Sequence, residues 1–417
     1  MMGSNLSAKS IMSPMGELVV AALLLAACGG GDVAGGGGSD LQSGIPAPVA
    51  LVDRFESDLV PWTSTGSVAV EINGNDEKLA FKAAGSQAER PFIEPATDYL
   101  VEFDLMAESP ATISGSLVGV SDQVLATVSF DAAAATGHFS TDAAEPIPFP
   151  WTASTYRQMV VRVNHHTNTL TLWNAVNGDA SWRRIGSLPY SGGIAAKLRF
   201  SGGDAAAFAW VDELRVYAQG TVVIGDSLAA GAMTWSPFPG FPGRLRATED
   251  EQHDVATQLY RLNPEGGWVA NRGINAQRTF HIYARRSDVI DQGFKRAVLL
   301  VGVNDVALGR ATEDIIVDYQ SILSVLLEAG VEPVLCTVPP RTAPTPKQVA
   351  DTDAINQWLR AQASPAVRVA DIFSVLVDPE TKKLFTWAAG DYVHWTQAGL
   401  EAASQEIHRA LTAPALP

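Results

Sequence analysis

The chain has 417 residues, of which 47% are hydrophobic, which is enough to fill more than one apolar core. Its formal net charge is −16, from 45 acidic and 29 basic residues. Proteins that bind nucleic acid carry a basic surface, so this balance argues against nucleic acid as a partner. The sequence contains two cysteines and no cysteine or histidine cluster with zinc-site spacing, so we expect neither a metal ion nor another cofactor.

The N-terminal region predicts export. Residues 18–27 form an apolar run that is too short to cross a bilayer and is typical of a signal peptide. The run ends in Leu25-Ala26-Ala27-Cys28, which resembles the lipobox of bacterial lipoproteins. That resemblance implies a signal over residues 1–28, lipidation of Cys28 and a lipid-anchored protein of the bacterial cell envelope. The outer membrane is favoured because Gly29 replaces the aspartate of inner-membrane lipoproteins; ordinary secretion is the alternative.

Residues 29–50 are rich in glycine and predict a flexible tether between the anchor and the folded chain. If Cys28 carries lipid, Cys336 has no cysteine partner. Cys336 lies in the apolar run 333–338, so we expect it to be a buried, unreactive thiol.

Residues 51–218 contain short runs of alternating apolar and polar residues separated by turns. This pattern predicts an antiparallel β-sandwich. The predicted strands are 67–72, 79–82, 99–105, 112–120, 125–130, 157–163, 169–173, 197–200 and 207–216. Residues 53–56 and 208–216 resemble the first and last strands of laminin-G or concanavalin-like jelly rolls. That resemblance implies either glycan binding or a purely structural role, and the residues leave both open.

Residues 221–417 follow after a join of only three residues, 218–220, so we expect the two domains to dock. The join enters the second domain at the start of its first strand. Strand-like runs at 221–224, 268–271, 297–301, 331–338 and 367–371 alternate here with helical runs such as 313–328. Alternation of this kind predicts a parallel, doubly wound α/β sheet.

Five polar or small residues fall at one edge of this predicted sheet. Ser227 follows the first strand, Gly273 the second and Asn304 the third, while Asp391 and His394 precede the last helix. Ligands of open α/β sheets bind at the carboxyl ends of the strands. Taken singly, each residue is explained by a helix cap, a turn or packing; together they predict one site.

The motifs Gly225-Asp226-Ser227-Leu228, Gly302-Val303-Asn304-Asp305 and Asp391-Tyr392-Val393-His394 occur in the order found in the GDSL/SGNH hydrolase superfamily, which this part of the chain resembles. The resemblance implies a three-layer α/β/α, flavodoxin-like domain over residues 221–417. One departure is Ala276, where the family pattern Asn-x-Gly-x-x-Gly ends in glycine; another is Trp395, where a smaller residue is commoner.

The chemistry assigns roles to these residues. Ser227 is the expected nucleophile, His394 the base that removes its proton, and Asp391 the carboxylate that orients the imidazole. By resemblance, the oxyanion donors are the backbone N–H groups of Ser227 and Gly273 and the side-chain amide of Asn304. This set of groups predicts acyl transfer.

We therefore expect a serine esterase that removes short acyl groups, such as acetyl, from carbohydrate. The alternative is a lipase, lysophospholipase or polyester hydrolase, and a non-catalytic glycan-binding lipoprotein is a third hypothesis. The aromatic loop containing Trp235 and Phe238, together with Trp395, is expected to contact the substrate.

Overall fold

The first part of the folded chain consists of antiparallel strands. The structure is a computed structural model, and it describes residues 51–53, 62–73, 76–95, 98–176, 183–204, 207–231 and 254–414. The strands are β1 (Leu51–Asp53), β2 (Thr63–Thr65), β3 (Val68–Asn73), β4 (Asp76–Phe81), β5 (Ser86–Pro91), β6 (Tyr99–Ala107), β7 (Thr112–Gly119), β8 (Val124–Asp131), β9 (Thr136–Thr141), β10 (Ala144–Pro150), β11 (Arg157–Asn164), β12 (Thr169–Val176), β13 (Arg183–Pro189), β14 (Ala195–Gly202) and β15 (Ala209–Ala218).

These strands form two sheets, as the alternating pattern predicts. The larger sheet has the order β13-β12-β11-β6-β15-β4-β3, with β1 also paired to β15; the smaller has the order β10-β9-β8-β7-β14-β5-β2. Phe103 of the larger sheet and Phe200 of the smaller meet edge to face, with ring centroids 5.5 Å apart. Both rings are at most 2% exposed. The apolar positions of the two sheets therefore fill one sandwich core.

The second part of the chain is a parallel sheet with helices. Its strands are β16 (Thr221–Gly225), β17 (Val269–Gly273), β18 (Arg296–Leu300), β19 (Glu332–Cys336) and β20 (Arg368–Ala370), in the order β17-β16-β18-β19-β20. The helices are α1 (Ser227–Ala230), α2 (Val255–Leu262), α3 (Thr279–Ala284), α4 (Ser287–Ile290), α5 (Val303–Ala307), α6 (Thr312–Glu328), α7 (Pro346–Arg360), α8 (Ile372–Leu376) and α9 (Gln397–Thr412).

The strand order of the parallel sheet fixes where a site can lie. The chain passes from β16 to β17 on one side and then to β18 on the other, so the order reverses at the carboxyl end of β16. A crevice opens at such a reversal because the two connections leave in opposite directions. Ser227 lies at this point. Among the described residues, no helix combines the length and apolar character needed to cross a membrane.

The two domains are docked, as the short join predicts. Leu100, Trp173 and Tyr217 of the sandwich belong to the same buried cluster as Val222 of β16. The contact between the domains is not confined to the start of β16, where the chain enters the second domain, because it also includes Arg272 near the end of β17.

Cys336 is 1% exposed, and burial raises the pKa of its thiol well above its usual range, as expected of an unreactive side chain.

Candidate active site

The turn after β16 places Ser227 at the edge of the sheet. Asp226 has an extended backbone, and its side chain accepts a hydrogen bond from Leu228 N–H at 3.0 Å, so Asp226 caps helix α1. Ser227 is therefore the first helical residue, and the alternative that Ser227 is the cap is wrong. A Cβ at Gly225 would lie 1.8 Å from the carbonyl oxygen of Leu300, so only glycine fits the strand end that precedes the serine.

A hydrogen-bonded chain links three of the predicted site residues. His394 Nε2 is 2.9 Å from Ser227 Oγ, and His394 Nδ1 is 2.8 Å from Asp391 Oδ2. A donor at Nδ1 leaves Nε2 as an acceptor for the serine proton. The structure thus brings together residues that are 167 positions apart in the sequence.

The Asp391 carboxylate, the last member of this series of hydrogen bonds, is held by backbone N–H groups of its own turn. Asp391 Oδ1 accepts hydrogen bonds from Val393 N–H at 2.8 Å and from His394 N–H at 2.7 Å. Burial raises the pKa of the Asp391 carboxyl, but the hydrogen bonds from Val393 and His394 outweigh it and hold that pKa below its ordinary value. Asp391 is therefore ionised at neutral pH and can stabilise a positively charged imidazole.

Trp395 does not line the site. It is 3% exposed and packs in the core of the second domain, and Ala389 pairs with it in an isolated β-bridge. The next residue, Thr396, caps α9 through Gly399 N–H. The expectation that Trp395 forms a wall for substrate is wrong, because the backbone turns its side chain inward immediately after His394. The neighbouring Tyr392 is the exposed aromatic residue, with 71% of its surface accessible.

The three expected oxyanion donors lie on adjoining elements. The N–H of Ser227 is at the first position of α1, where helix geometry provides no acceptor within the helix. Asn304, in the first turn of α5, donates one amide hydrogen to Gln277 O at 3.0 Å and keeps its second. The N–H of Gly273 donates to Asn271 Oδ1 at 2.8 Å, so an oxyanion at this position has to share that donor or replace Asn271.

Close packing explains the glycine at position 273. A Cβ there would lie 2.2 Å from the backbone nitrogen of Ala230 in α1. The loop then continues through Ala276, whose φ of +62° lies in the left-handed region. Ala276 thus occupies a backbone region that favours glycine, at a cost in strain.

A buried arginine ties the strand end to the oxyanion loop. Arg285 donates to Gly225 O at 3.1 Å, to Gln277 Oε1 at 2.5 Å and to Asp288 Oδ2 at 3.1 Å. Because the carbonyl of Gln277 holds the Asn304 amide, one guanidinium supports both sides of the site. Sequence reasoning missed Arg285, since nothing local distinguishes it from a surface arginine.

A second network lies beneath the Asn304 loop. Asp305 accepts hydrogen bonds from the N–H and the hydroxyl of Thr279, both at 3.0 Å, and pairs with Arg310.

Complete burial raises the pKa of Asp226 to about 7, although the hydrogen bond from Leu228 N–H acts to lower that pKa, and the nearby Asp305 carboxylate adds to the rise. The aspartate beside the serine therefore binds a proton far more readily than an ordinary carboxyl group does.

Several expectations fall outside the part of the chain that the structure describes. Trp235 and Phe238 lie in the segment 232–253, and Cys28 precedes residue 51. Among the described residues, no group of three or more His, Cys, Asp or Glu side chains is arranged to hold a metal ion.

Comparison with known proteins gives the family of the second domain. Residues 223–402 match the model of the GDSL-like lipase/acylhydrolase family. The C-terminal part of the chain is a GDSL-like hydrolase domain. The predicted family, the α/β/α fold and the hydrolase assignment are thereby confirmed, as is the antiparallel sandwich that precedes the GDSL-like domain.

Solved structures are similar to parts of the chain at low identity. A protein from Desulfitobacterium hafniense described as lipolytic, of the G-D-S-L family, is 20% identical over 46% of this chain and 99% of its own, with a TM-score of 0.37. A variant of an acetyl-xylooligosaccharide esterase from Geobacillus is 18% identical over 48% of this chain and 96% of its own, with a TM-score of 0.38. The globular domain of T. cruzi calreticulin is 9% identical over 40% of this chain and 87% of its own, with a TM-score of 0.31. Among curated proteins, none matches the chain in sequence.

Proposed function

We propose that the protein is a serine esterase that removes short acyl groups, acetyl above all, from carbohydrate. The observation that carries the proposal is the continuous hydrogen-bonded chain from Ser227 Oγ through His394 to Asp391. A serine hydroxyl becomes nucleophilic when a positioned base takes its proton during attack, and this chain supplies both the base and its counter-charge.

The reaction proceeds in two halves. Ser227 Oγ attacks the ester carbonyl while its proton passes to His394 Nε2. The oxyanion receives hydrogen bonds from Ser227 N–H, the Asn304 amide and Gly273 N–H, which Asn271 Oδ1 shares or gives up. His394 then gives that proton to the departing alkoxide, which leaves as an alcohol. Water attacks the acyl-serine by the same route, and the proton that His394 takes from it returns to Ser227.

Two features support carbohydrate as the alcohol part of the ester. Tyr392, two residues before His394, exposes an aromatic ring that can stack on the C–H face of a sugar. The second feature is the antiparallel sandwich that packs against the hydrolase domain, because sandwiches of the laminin-G or concanavalin-like kind, which it resembles, often bind glycans. Leu308 has an exposed apolar side chain, and its backbone N–H donates to Asn304 O. This residue favours an apolar substrate, and therefore the alternative of a lipase, lysophospholipase or polyester hydrolase.

A series of p-nitrophenyl esters with acyl chains of increasing length separates these functions. We expect kcat/KM to peak at acetate and to vanish in Ser227→Ala, with the variant's melting temperature close to that of the wild type. A maximum at long acyl chains would support the lipase alternative. Full activity in folded Ser227→Ala would contradict a serine mechanism of any specificity.

We also propose that the mature protein is lipid-anchored at Cys28 in the bacterial cell envelope, favouring the outer membrane. The support is the sequence Leu25-Ala26-Ala27-Cys28 after an apolar run. Cys28→Ser should move the protein from the membrane fraction to the soluble fraction. Unchanged membrane association of that variant would refute lipidation as the anchor.

A further inference from the structure

A buried ion pair joins the sandwich to the hydrolase domain. Arg272, the penultimate residue of β17, donates from Nη2 to Glu102 of strand β6. The side chains of Arg272 and Glu102 are 0% and 4% exposed. A guanidinium and a carboxylate lose most of their hydration at such burial, so each needs compensating partners within the protein, and this ion pair supplies part of that compensation.

The same arginine is also bonded within the hydrolase domain. Its guanidinium donates to Gln292 Oε1 from Nε at 3.1 Å and from Nη2 at 2.8 Å, and to Asn271 O at 2.9 Å. It lies over the ring of Phe294, 5.6 Å from the centroid. These contacts fix the Arg272 side chain in one orientation. Two partners of Arg272 come from the sandwich, Glu102 of β6 and Tyr217 of β15.

An arginine of the sandwich holds the loop that contains Gln292. Arg162 of β11 donates from Nη1 to Asp291 O at 3.0 Å, and its guanidinium covers Gly293, where a Cβ would lie 3.0 Å from Cζ. Gln292, the acceptor for Arg272, lies between these two residues. The sandwich therefore contacts both sides of the Arg272–Gln292 hydrogen bonds.

The Glu102–Arg272 ion pair is connected to the proposed oxyanion site through the backbone on either side of Arg272. Asn271 and Gly273 flank Arg272, and Asn271 Oδ1 accepts the N–H of Gly273. The chain then runs on to Gln277, whose carbonyl accepts the Asn304 amide. A small displacement of the end of β17 would thus move two of the proposed donors, and catalysis is sensitive to shifts of about 1 Å.

We propose that the sandwich is a positioning element of the active site, and that the Glu102–Arg272 pair sets the end of β17, which carries Gly273 N–H, and the following loop, which holds the Asn304 amide through Gln277 O. The catalytic part of this inference rests on the esterase function proposed above. It assigns the sandwich a role in the turnover of every ester, including those that carry no sugar.

The test replaces the pair in the full-length protein. Glu102→Leu alone removes the carboxylate partner of a buried guanidinium and can fail to fold, so the decisive variant is the double substitution Glu102→Leu with Arg272→Met. Apolar replacement of both members of a buried ion pair often preserves stability. The matched control is Glu89→Gln, which breaks an ion-pair cluster with Lys197 and Arg199 in the smaller sheet of the sandwich.

With p-nitrophenyl acetate, we expect kcat of the double variant to fall at least about tenfold with KM nearly unchanged, which is the signature of lost transition-state stabilisation. The Ki of a trifluoromethyl ketone, which forms an oxyanion on the serine, should rise by the same factor as kcat/KM falls. The control should keep kcat and Ki within about twofold. A folded double variant with wild-type kcat and Ki would overturn the proposal.

Amide hydrogen exchange over residues 269–277 tests the positioning claim without reference to activity. Exchange there should be faster in the double variant than in the wild type and the Glu89→Gln control. Unchanged exchange would overturn the proposal even if the wild type proved to be an esterase. Conversely, an inactive wild type with faster exchange in the double variant would refute the esterase function and leave the sandwich as the element that holds β17.

Discussion

Replacement of Asn304 by alanine separates an oxyanion donor from a turn residue. One amide hydrogen of Asn304 is bonded to Gln277 O at 3.0 Å, which leaves the second available to a substrate oxygen. Loss of one preorganised donor typically lowers kcat by about 10²–10³-fold, or about 2.7–4 kcal/mol of transition-state stabilisation. We expect that loss for Asn304→Ala, with a much smaller change in KM because the hydrogen bond strengthens only as charge develops.

The same substitution also removes a structural hydrogen bond, so stability has to be measured beside activity. The bond to Gln277 O is worth about 1 kcal/mol, which predicts a small fall in melting temperature. Asn164 offers a matched control, because its side chain likewise holds one backbone group, Thr167 N–H at 3.0 Å, in a sandwich turn. Asn164→Ala should lower stability and leave kcat intact. If Asn304→Ala behaved in the same way, the oxyanion assignment would be wrong.

Three further substitutions test the local physics around the site. Ala276→Gly should raise the free energy of unfolding by up to about 1 kcal/mol, because φ is +62° at this position. The control Ala354→Gly, on the exposed face of α7, should lower the free energy of unfolding by about 0.5–1 kcal/mol. Urea unfolding that shows a loss of stability in both variants would refute strain at Ala276. Asp226→Asn should become more stable relative to the wild type as pH rises from about 4 to 7. The wild-type pKa is raised from 3.8 to about 7, so the wild type loses about 1.4 kcal/mol of stability for each pH unit over that interval. A difference in stability that is independent of pH would refute the raised pKa. Gly225→Ala should prevent folding, since its Cβ would overlap the carbonyl of Leu300, and a soluble variant with native circular dichroism would contradict that packing.

Long apolar or alternating runs made much of the fold predictable. The predicted strand 99–105 and helix 313–328 correspond to β6 (Tyr99–Ala107) and α6 (Thr312–Glu328). Strand β10 escaped prediction because its sequence, Ala144–Pro150, contains three prolines, which remove ladder donors and are tolerated only where one edge is unpaired. It is indeed the outermost strand of its sheet.

The location of the site was predictable for a topological reason, and its supporting contacts were not. Ser227 and Asn304 each follow a parallel strand, so the fold itself brings them to one edge. Arg285 reaches Gly225, which is 60 positions away, and no local pattern encodes such a bond. The direction of the Trp395 side chain depends on how a single turn closes after His394, which the spacing of residues does not determine.

The central claim is that Ser227 carries the acyl group during turnover. Acid quenching within milliseconds of mixing the enzyme with p-nitrophenyl acetate, followed by peptide mass spectrometry, measures this directly. We expect an acetyl group on the peptide containing Ser227, formed at the rate of the p-nitrophenol burst and absent in His394→Ala. Acetyl on a different residue at that rate, or turnover with Ser227 never modified while hydrolysis still requires His394, would contradict the proposed mechanism.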